Sequence, residues 1–538
     1  MIQIRQAGDA ALLLDVTAAP PEEKAGNVAA RVAAAIRAAA LRGVVDVVPA
    51  AATVLVSVEP GSWEIASLAA RLGELASAPA PPLPAASTAE LVLDTVYDGP
   101  DLAEVAALTG LTVADVITRH SDASYRVGWL GFSPGFGYLT GLDPVLAAVG
   151  RLATPRVAVP AGSVAIAGGF AAVYPNSSPG GWRLLARTAA VLWDPDRDSP
   201  AVLSPGRRVR FRPAGQMPQP AAEVTRLRPL RPSGVAAERW IEVLQPGPMT
   251  TVQDLGRAGL AHLGVPGSGA ADAVSLRRAN LLAGNPPGAA GLEVTLGRLA
   301  LRFATDAVVA VTGAPVSLAL AAGDTEREPA FGAAFVVPAA AVLRLGTPPT
   351  GLRSYLAIDG GVDVAPVLGS RSADRRSGLG PPPLRPGERL PVGRPRSPDE
   401  KPAVERPRTV GPGHAELRTI LGPRDDWFSA AALATLGTAS YQVSPASDRT
   451  GLRLDGPPLE RAPGRAGELP SEGTAAGSLQ VTHDGQPILL LADHPTTGGY
   501  PVIAVVESAD LGLAGQLRPG QSVRFAVSPP GLPPGGTA

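Results

Sequence analysis

The chain contains no cysteine in 538 residues. Disulfides, thiolate metal sites, iron–sulfur clusters and cysteine nucleophiles are therefore excluded. Lysine is nearly absent too: Lys24 and Lys401 are the only two, and arginine supplies every other basic side chain. There is no G-x-x-x-x-G-K-[ST] loop, so no phosphate-gripping lysine. Neither lysine lies between methionines as a biotin-carrier segment requires, so no covalently bound biotin is expected. Charge of one sign is also missing. Lys and Arg total 47 against 48 Asp and Glu, a formal net charge of −1, which argues against nucleic acid and anionic membranes as partners. The longest uncharged apolar run, 307–323, is interrupted by Gly313 and Pro315 and is too short to span a bilayer. The start, MIQIRQAGDAALLLDV, carries Asp9 inside its apolar segment and does not read as a signal peptide. A cytoplasmic location is expected.

Glycine and proline, by contrast, are abundant, at 62 and 58 residues. They cut the chain into short runs. Residues 1–80 alternate strand-like and helix-like segments. Val28, Val32 and Ile36 share one face of a helix predicted over 20–42, and Ile65, Leu68, Leu72 and Leu75 share a stripe over 63–76. This segment reads as a small α/β domain. Two short helices follow in 100–120, the second starting at Thr112 with Asp115 in a capping-box position and ending at His120. Beyond it the runs are short, β-rich and bounded by turn residues, the pattern of barrels.

One repeat organises the rest. PGRRVRF (205–211) and PGQSVRF (519–525) share PGxxVRF, and PGERL (386–390) is a weaker copy. Pro then Gly fits the central positions of a type II turn feeding a strand, so each copy is expected to lead into the last strand of a β domain. The fold class is therefore mainly β (α+β), with several barrels behind the α/β domain. The predicted boundaries are 1–80, a barrel over 88–211, a linker over 212–239, and further barrels over 240–395 and 405–530.

Three Gly-rich turns end in an aromatic residue: GFSPGFGY (131–138), NSSPGGW (176–182) and HPTTGGY (494–500). Such turns join strands, and they also present backbone N–H groups to anions. Phe132, Pro134, Gly135, Phe136 and Tyr138, then Gly162 and Ser163, then Gly180, Gly181 and Trp182 are candidates to line a pocket. His120, at a predicted helix C-terminus that favours imidazolium, is a candidate acid/base or a C-cap. Arg156 and Arg187 are candidate carboxylate grips or rim ion pairs. Gln253, Asp254 and Arg257, with Asp448 and Arg449, are polar clusters within apolar blocks. Asp254 and Arg257 lean towards a structural role. Asp493, Thr496, Thr497, Gly498, Gly499 and Tyr500 look more like a site, with Asp493 as its candidate catalytic carboxylate. The five histidines (120, 262, 414, 483, 494) show no metal-ligand spacing, so no metal is expected. No G-x-S-x-G elbow is present.

Two blocks are recognisable. GFSPGFGYLTGLDP and TPRVAVPAGSVAIAGGFAAVYPNSSPGGWRLLART resemble the first subunit of the allophanate hydrolase/5-oxoprolinase family. It is also the C/D part of a biotin-dependent carboxyltransferase domain, and includes a sporulation kinase inhibitor. VLQPGPMTTVQDLGRAGLAHLGVPGSGAAD, RRANLLAGN, LEVTLG, SDRTGLRL, SEGTAAGSLQ and ADHPTTGGYPVIAVVESADL resemble the second member of that pair, the A/B part. The chain is similar to a fusion of the B and C components of a bacterial ATP-dependent 5-oxoprolinase. That resemblance implies cyclophilin-like barrels and opening of the lactam of 5-oxoproline to glutamate. It also implies a third component of LamB/YcsF type, the A component, as partner, with ATP bound with or by that partner. Carboxyl transfer from carboxybiotin to a urea-like nitrogen, and a kinase-binding regulatory role, are the alternatives; a homo-oligomer is left open. The sequence departs from the family at Ala271, Thr450 and, in the third turn, at His494-Pro495, where Arg-Gln is usual.

Overall fold

A computed structural model describes residues 2–17, 25–78, 89–216, 239–395 and 411–532, apart from 412, 466 and 468. The predicted linker, 212–239, falls largely outside these residues. The protein is mainly β, with few helices. Among the described residues no helix is long and apolar enough to cross a membrane.

The N-terminal segment is a four-stranded antiparallel sheet backed by two helices, Ala25–Ala38 and Ile65–Ser77. Val28, Val32 and Ile36 meet Leu68 and Leu72 in one buried core, as their spacing requires. The second helix starts slightly later than read from the sequence, because Glu64 caps it through its own carboxylate.

Residues 89–213 form a seven-stranded sheet. Its two edges meet at a bridge between Val96 and Arg187, which bond reciprocally at 2.9 Å. Residues 415–528 form a closed seven-stranded barrel. The two share one strand order. With the strands of each numbered along the chain, the order around the sheet is first, last, second, third, fifth, fourth, sixth. In each, the final strand lies parallel to the first. Phe211 sits opposite Leu93, and Phe525 opposite Leu417. The middle domain, 240–391, is not one closed barrel as expected: a six-stranded and a five-stranded sheet share one apolar core.

The PG repeat explains the shared closure. Gly206, Gly387 and Gly520 have φ of +85°, +81° and +81°, the left-handed value that position i+2 of a type II turn demands. Each turn closes with its own backbone bond: Arg207 N to Ser204 O, Glu388 N to Arg385 O, and Gln521 N to Arg518 O. Each Gly N–H then donates to a valine carbonyl at 2.7 Å, to Val127, Val243 and Val443 respectively, and each valine N–H donates back into the turn at 2.9 Å. One hydrogen-bonded device thus recurs in all three β domains.

The halves interlock. Asp9 accepts from the backbone and hydroxyl of Ser508, both at 2.9 Å, and Arg5 pairs with Asp426 at 3.1 Å. Arg424 of the closing barrel lies between Asp15 of the N-terminal domain and its own neighbour Glu472. Asp46 accepts from the N–H groups of Gly259 and Ala261 in the middle domain. The N-terminal domain therefore grips both C-terminal domains. A chain cut between 217 and 238 is expected to stay together, its two fragments co-eluting in gel filtration. Arg424→Met, which strands two buried carboxylates, is expected to lower the melting temperature of the nicked and the intact protein. Separate elution of the fragments would contradict the interlock.

Candidate functional site

The turn at 131–138 spends its backbone donors on protein partners. Gly131 N–H bonds Phe136 O, Ser133 N–H bonds Gly131 O, Gly135 N–H reaches Leu263 O of the middle domain, and Phe136 N–H bonds Ser133 O. Phe132 N–H donates to Thr497 Oγ1 of the closing barrel at 2.9 Å. Gly162 N–H is likewise taken by Tyr174 O, and Ser163 is buried on a strand. The expectation that the 131–138 turn and Gly162 aim N–H groups at an anion is therefore corrected: the first of these turns is used to join three domains.

Glycine is required where they join. A Cβ on Gly131 would lie 2.3 Å from Thr497 Oγ1, and one on Gly264 would lie 2.2 Å from Ser133 O. Phe132 itself adopts φ +63°, a left-handed conformation that costs a residue with a Cβ roughly 1–2 kcal/mol. Its carbonyl accepts from Arg376 Nη2 at 3.3 Å, and the same guanidinium carbon stands 5.5 Å from the centre of its ring. Phe132, Arg376 and Thr497 come from three different domains.

Around them lies a charge network. Arg449 donates two bonds to Asp493, at 2.8 and 2.9 Å, and others to Glu293 Oε1 and Gly269 O. Ser268 Oγ donates to Asp493 Oδ1 at 2.7 Å. Glu293 also receives Tyr355 OH at 2.8 Å and Ala271 N–H at 2.9 Å. Burial pushes the Glu293 carboxyl up, but Arg449 and Arg353 outweigh it and hold it below its ordinary value. Burial likewise acts against the charge of Arg449, and Asp493 and Glu293 reverse that effect. Asp374 is different. Burial, reinforced by Asp493, pushes it up to about 6. Its Oδ1 accepts from Ser377 N–H, while Oδ2 is buried without a partner. Arg376 Nη1, Thr496 Oγ1 and Ser133 Oγ are buried and unpartnered in the same way. Burial pushes His494 below its ordinary value, and the nearby Arg376 adds to that; its Nδ1 lies 2.8 Å from Pro495 O. The junction thus offers a cation, a proton-accepting carboxyl and two hydroxyls, the set needed to hold a small polar molecule and move a proton.

Of the residues singled out from the sequence, Phe132, Arg449, Asp493, Thr496 and Thr497 meet here. Gly135 holds the turn against Leu263 O. Gly498 lies on the strand pair that carries Thr497, and a Cβ on Gly499 would crowd Arg151 at 3.0 Å. The others do not meet here, for physical reasons. Phe136, Tyr138 and Trp182 do not wall a pocket. They pack edge-on against one another and are 1%, 4% and 6% exposed. A Cβ on Gly180 would strike Tyr174 OH at 2.2 Å, and Gly181 O accepts from Leu152 N–H; both serve that packing, and Pro134 completes the neighbouring turn. Arg156 is held by Asp101 at 2.6 Å and Arg187 by Asp98 at 2.8 Å, as rim ion pairs. Asp254 accepts from Gly256, Ser370 and Arg371, and Arg257 from the same turn donates to Val367 O and Ser372; they fix a loop. Gln253 donates to Ala373 O at 3.0 Å, behind that loop. Asp448 caps its own turn through Thr450 N–H, and Tyr500 meets His483 edge-on.

His120 is the largest correction. The helix runs from Val113 to Asp122 behind the Thr112–Asp115 capping box. His120 is wholly buried among Tyr97, Tyr125 and Phe211, with Nδ1 2.8 Å from Tyr97 OH and Nε2 unpartnered. Burial pushes it down to about 3, so it is neutral, not imidazolium. Sequence reasoning missed Ser268, Glu293, Asp374 and Arg376. The GSRSADRRSGLG segment (369–380) that carries two of them has the small, polar and Gly composition of a built loop, and that was the available signal.

Two family models cover most of the chain: carboxyltransferase domain, subdomain C and D, over residues 2–203, and subdomain A and B over 263–527. The chain belongs to the carboxyltransferase-domain family. It is 38% identical over 288 residues to the C component of 5-oxoprolinase from Escherichia coli K12, spanning 53% of this chain and 90% of that one. It is also 51% identical over 115 residues to the B component of 5-oxoprolinase from E. coli O157:H7, which is 21% of this chain and 52% of that one. Urea amidolyase of Lachancea kluyveri is 32% identical over 308 residues, 53% of this chain and 17% of that protein. Among solved structures, that of TTHA0988 superposes with a TM-score of 0.82 at 35% identity, covering 96% of this chain and 99% of that one. A fused arrangement of B-like and C-like halves is consistent with all of these.

Burial of neutral His120 carries a pH signature. Its folded pKa lies below the ordinary 6.5, so the unfolded chain binds the proton first. The contribution of His120 is complete above pH 6.5 and is lost as pH falls towards about 3, with a slope of up to ~1.4 kcal/mol per pH unit. His120→Gln is expected to flatten that limb in urea unfolding between about pH 7 and pH 4. An unchanged slope would contradict the assignment. Arg449→Met is expected to cost ~3–5 kcal/mol near neutral pH, because Asp493 and Glu293 lose a buried counter-charge. Chemical denaturation measures it directly.

Proposed function

We propose that the chain is the fused B/C component of an ATP-dependent 5-oxoprolinase, opening the lactam of 5-oxoproline to glutamate together with a LamB/YcsF-type partner. The observation that carries this reading is the junction of Phe132, Arg376 and Thr497. It is assembled from the B-like and C-like halves, so neither relative's counterpart would hold it alone. A lactam resists water because amide resonance weakens its carbonyl as an electrophile. Nucleotide chemistry would supply the activation, by converting the carbonyl oxygen into a leaving group.

The sequence carries no G-x-x-x-x-G-K-[ST] loop, and a γ-phosphate needs a charged clamp with its metal ion. The reading therefore assigns the nucleotide to the LamB/YcsF-type partner. This chain's own part is to bind and orient the ring, keep water out until the ring is activated, and accept its proton at Asp374 Oδ2. A carboxyl that ionises near neutrality suits that task. Arg449 and Ser268 act by holding Asp493 in place beside it.

The likeness to urea amidolyase favours a second reading, carboxyl transfer to a urea-like nitrogen with a biotin carrier on another chain. The two separate in one assay. The purified chain with 5-oxoproline and ATP is expected to release no glutamate. Adding the LamB/YcsF-type partner from the same source is expected to switch on ADP and glutamate formation in step. ATP-dependent glutamate release by the chain alone would overturn the division of labour. Carboxybiotin consumption with urea, without that partner, would move the assignment to carboxyl transfer.

A further inference from the structure

Three arginines lie close to Asp374 and Asp493, and two of them are saturated. Arg449 bonds Asp493, Glu293 and Gly269 O through all three of its nitrogens. Arg257 does the same with Val367 O and Ser372. Arg376 does not. Its Nη2 reaches Phe132 O, the Phe132 ring covers one side of the guanidinium, and its Nη1 is buried with no partner. Asp374, Asp448 and Asp493 bias it electrostatically, but among the described residues none forms an ion pair with it.

A guanidinium with an unpartnered nitrogen is a planar donor in want of an acceptor, and its natural complement is a carboxylate. Two residues earlier on the same loop, Asp374 presents the unpartnered acceptor Oδ2. In 5-oxoproline the carboxylate is carried on the carbon next to the ring nitrogen. Carboxylate and N–H therefore sit on adjacent ring atoms, and the unpartnered donor and acceptor belong to residues two apart on one loop.

We infer that Arg376 is the specificity-determining residue of the junction: its open edge takes the carboxylate of a small cyclic amide acid while Asp374 accepts the ring N–H, with Ser133 and Thr496 as flanking hydroxyls. The inference rests on the lactam reading above and adds what that reading leaves open, namely why an acid should be preferred to a neutral amide. A neutral lactam or urea satisfies Asp374 and leaves the cation buried without a counter-charge.

The test is calorimetric titration of the full chain with 5-oxoproline, with 2-pyrrolidinone as the same ring lacking the carboxylate, and with urea. The wild type is expected to bind 5-oxoproline more tightly than 2-pyrrolidinone. Arg376→Met is expected to weaken 5-oxoproline by roughly 10- to 100-fold, the loss of a hydrogen bond to a charged group, and to leave 2-pyrrolidinone unchanged. Arg376→Lys, which keeps the charge and loses the fork, is expected to fall between, and it carries the test if the Met variant does not fold. Equal weakening of both lactams, or no weakening of either, would overturn the role of Arg376 and leave the lactam reading intact. A wild type that binds urea, or nothing, in place of 5-oxoproline would overturn the lactam reading itself.

Discussion

A guanidinium removed from water is costly unless the protein answers its charge, and Arg449 is the place where this protein does so most fully. The residue is 8% exposed. Its charge is answered by Asp493 on its own barrel and by Glu293 on the middle domain. Glu293 in turn holds Tyr355 and the N–H of Ala271, and Tyr355 OH receives Asp272 N–H. Asp272 caps the helix Ala273–Leu282 and also receives Gln516 of the closing barrel. Once one ion pair is fixed, the relative position of two domains is fixed with it, because desolvated charges tolerate little displacement. Asp493 then has no freedom to wander from the junction.

The same economy of parts appears in the barrels. The turn NSSPGGW leads into the sixth strand of the first barrel, Arg183–Arg187, and HPTTGGY leads into the sixth strand of the closing barrel, Val502–Val506. Both strands neighbour the first strand of their barrel. GFSPGFGY and the Asp448–Arg449 turn likewise each join the second and third strands of their barrel. Phe132 and Arg449 therefore sit on matching turns of matching barrels. What differs is the side chain each turn delivers: an aromatic ring in one half, a buried cation in the other. A site between the two halves gains two kinds of surface from one architecture.

What could be read from the sequence is what depends on local geometry. A Pro-Gly pair specifies a turn with a left-handed glycine wherever it occurs, so the PG repeat announced its strands and the shared closure of the domains. The Thr112–Asp115 capping box is equally local, and forms as read. The site is not local. Arg376 looks like any arginine in a Ser- and Gly-rich loop, and only contact with Phe132, some 240 residues earlier in the chain, makes it distinctive. His120 misled for the same reason. A histidine near a helix end suits a cation by local rules, and three aromatic rings from outside its helix decided otherwise. Tyr138 and Trp182, which end two of the Gly-rich turns, are core residues, and a chain poor in aromatics gains most by burying them.

Phe132 shows how these constraints meet. A phenylalanine at φ +63° is disfavoured by roughly 1–2 kcal/mol, and the bonds to its N–H and its carbonyl come from outside its own turn. Thr497 and Arg376 supply one each. They belong to the closing barrel and the middle domain, so the conformation is held only when all three domains are in place. Gly131 and Gly264 permit the approach, since a Cβ at either would meet an oxygen well inside contact distance. The separated first half, lacking both partners, would have no reason to keep Phe132 left-handed. Its ring would then no longer cover Arg376, nor its carbonyl orient the guanidinium. Assembly of the domains and shaping of the site are in this sense one event, and a linker that keeps the halves together protects both.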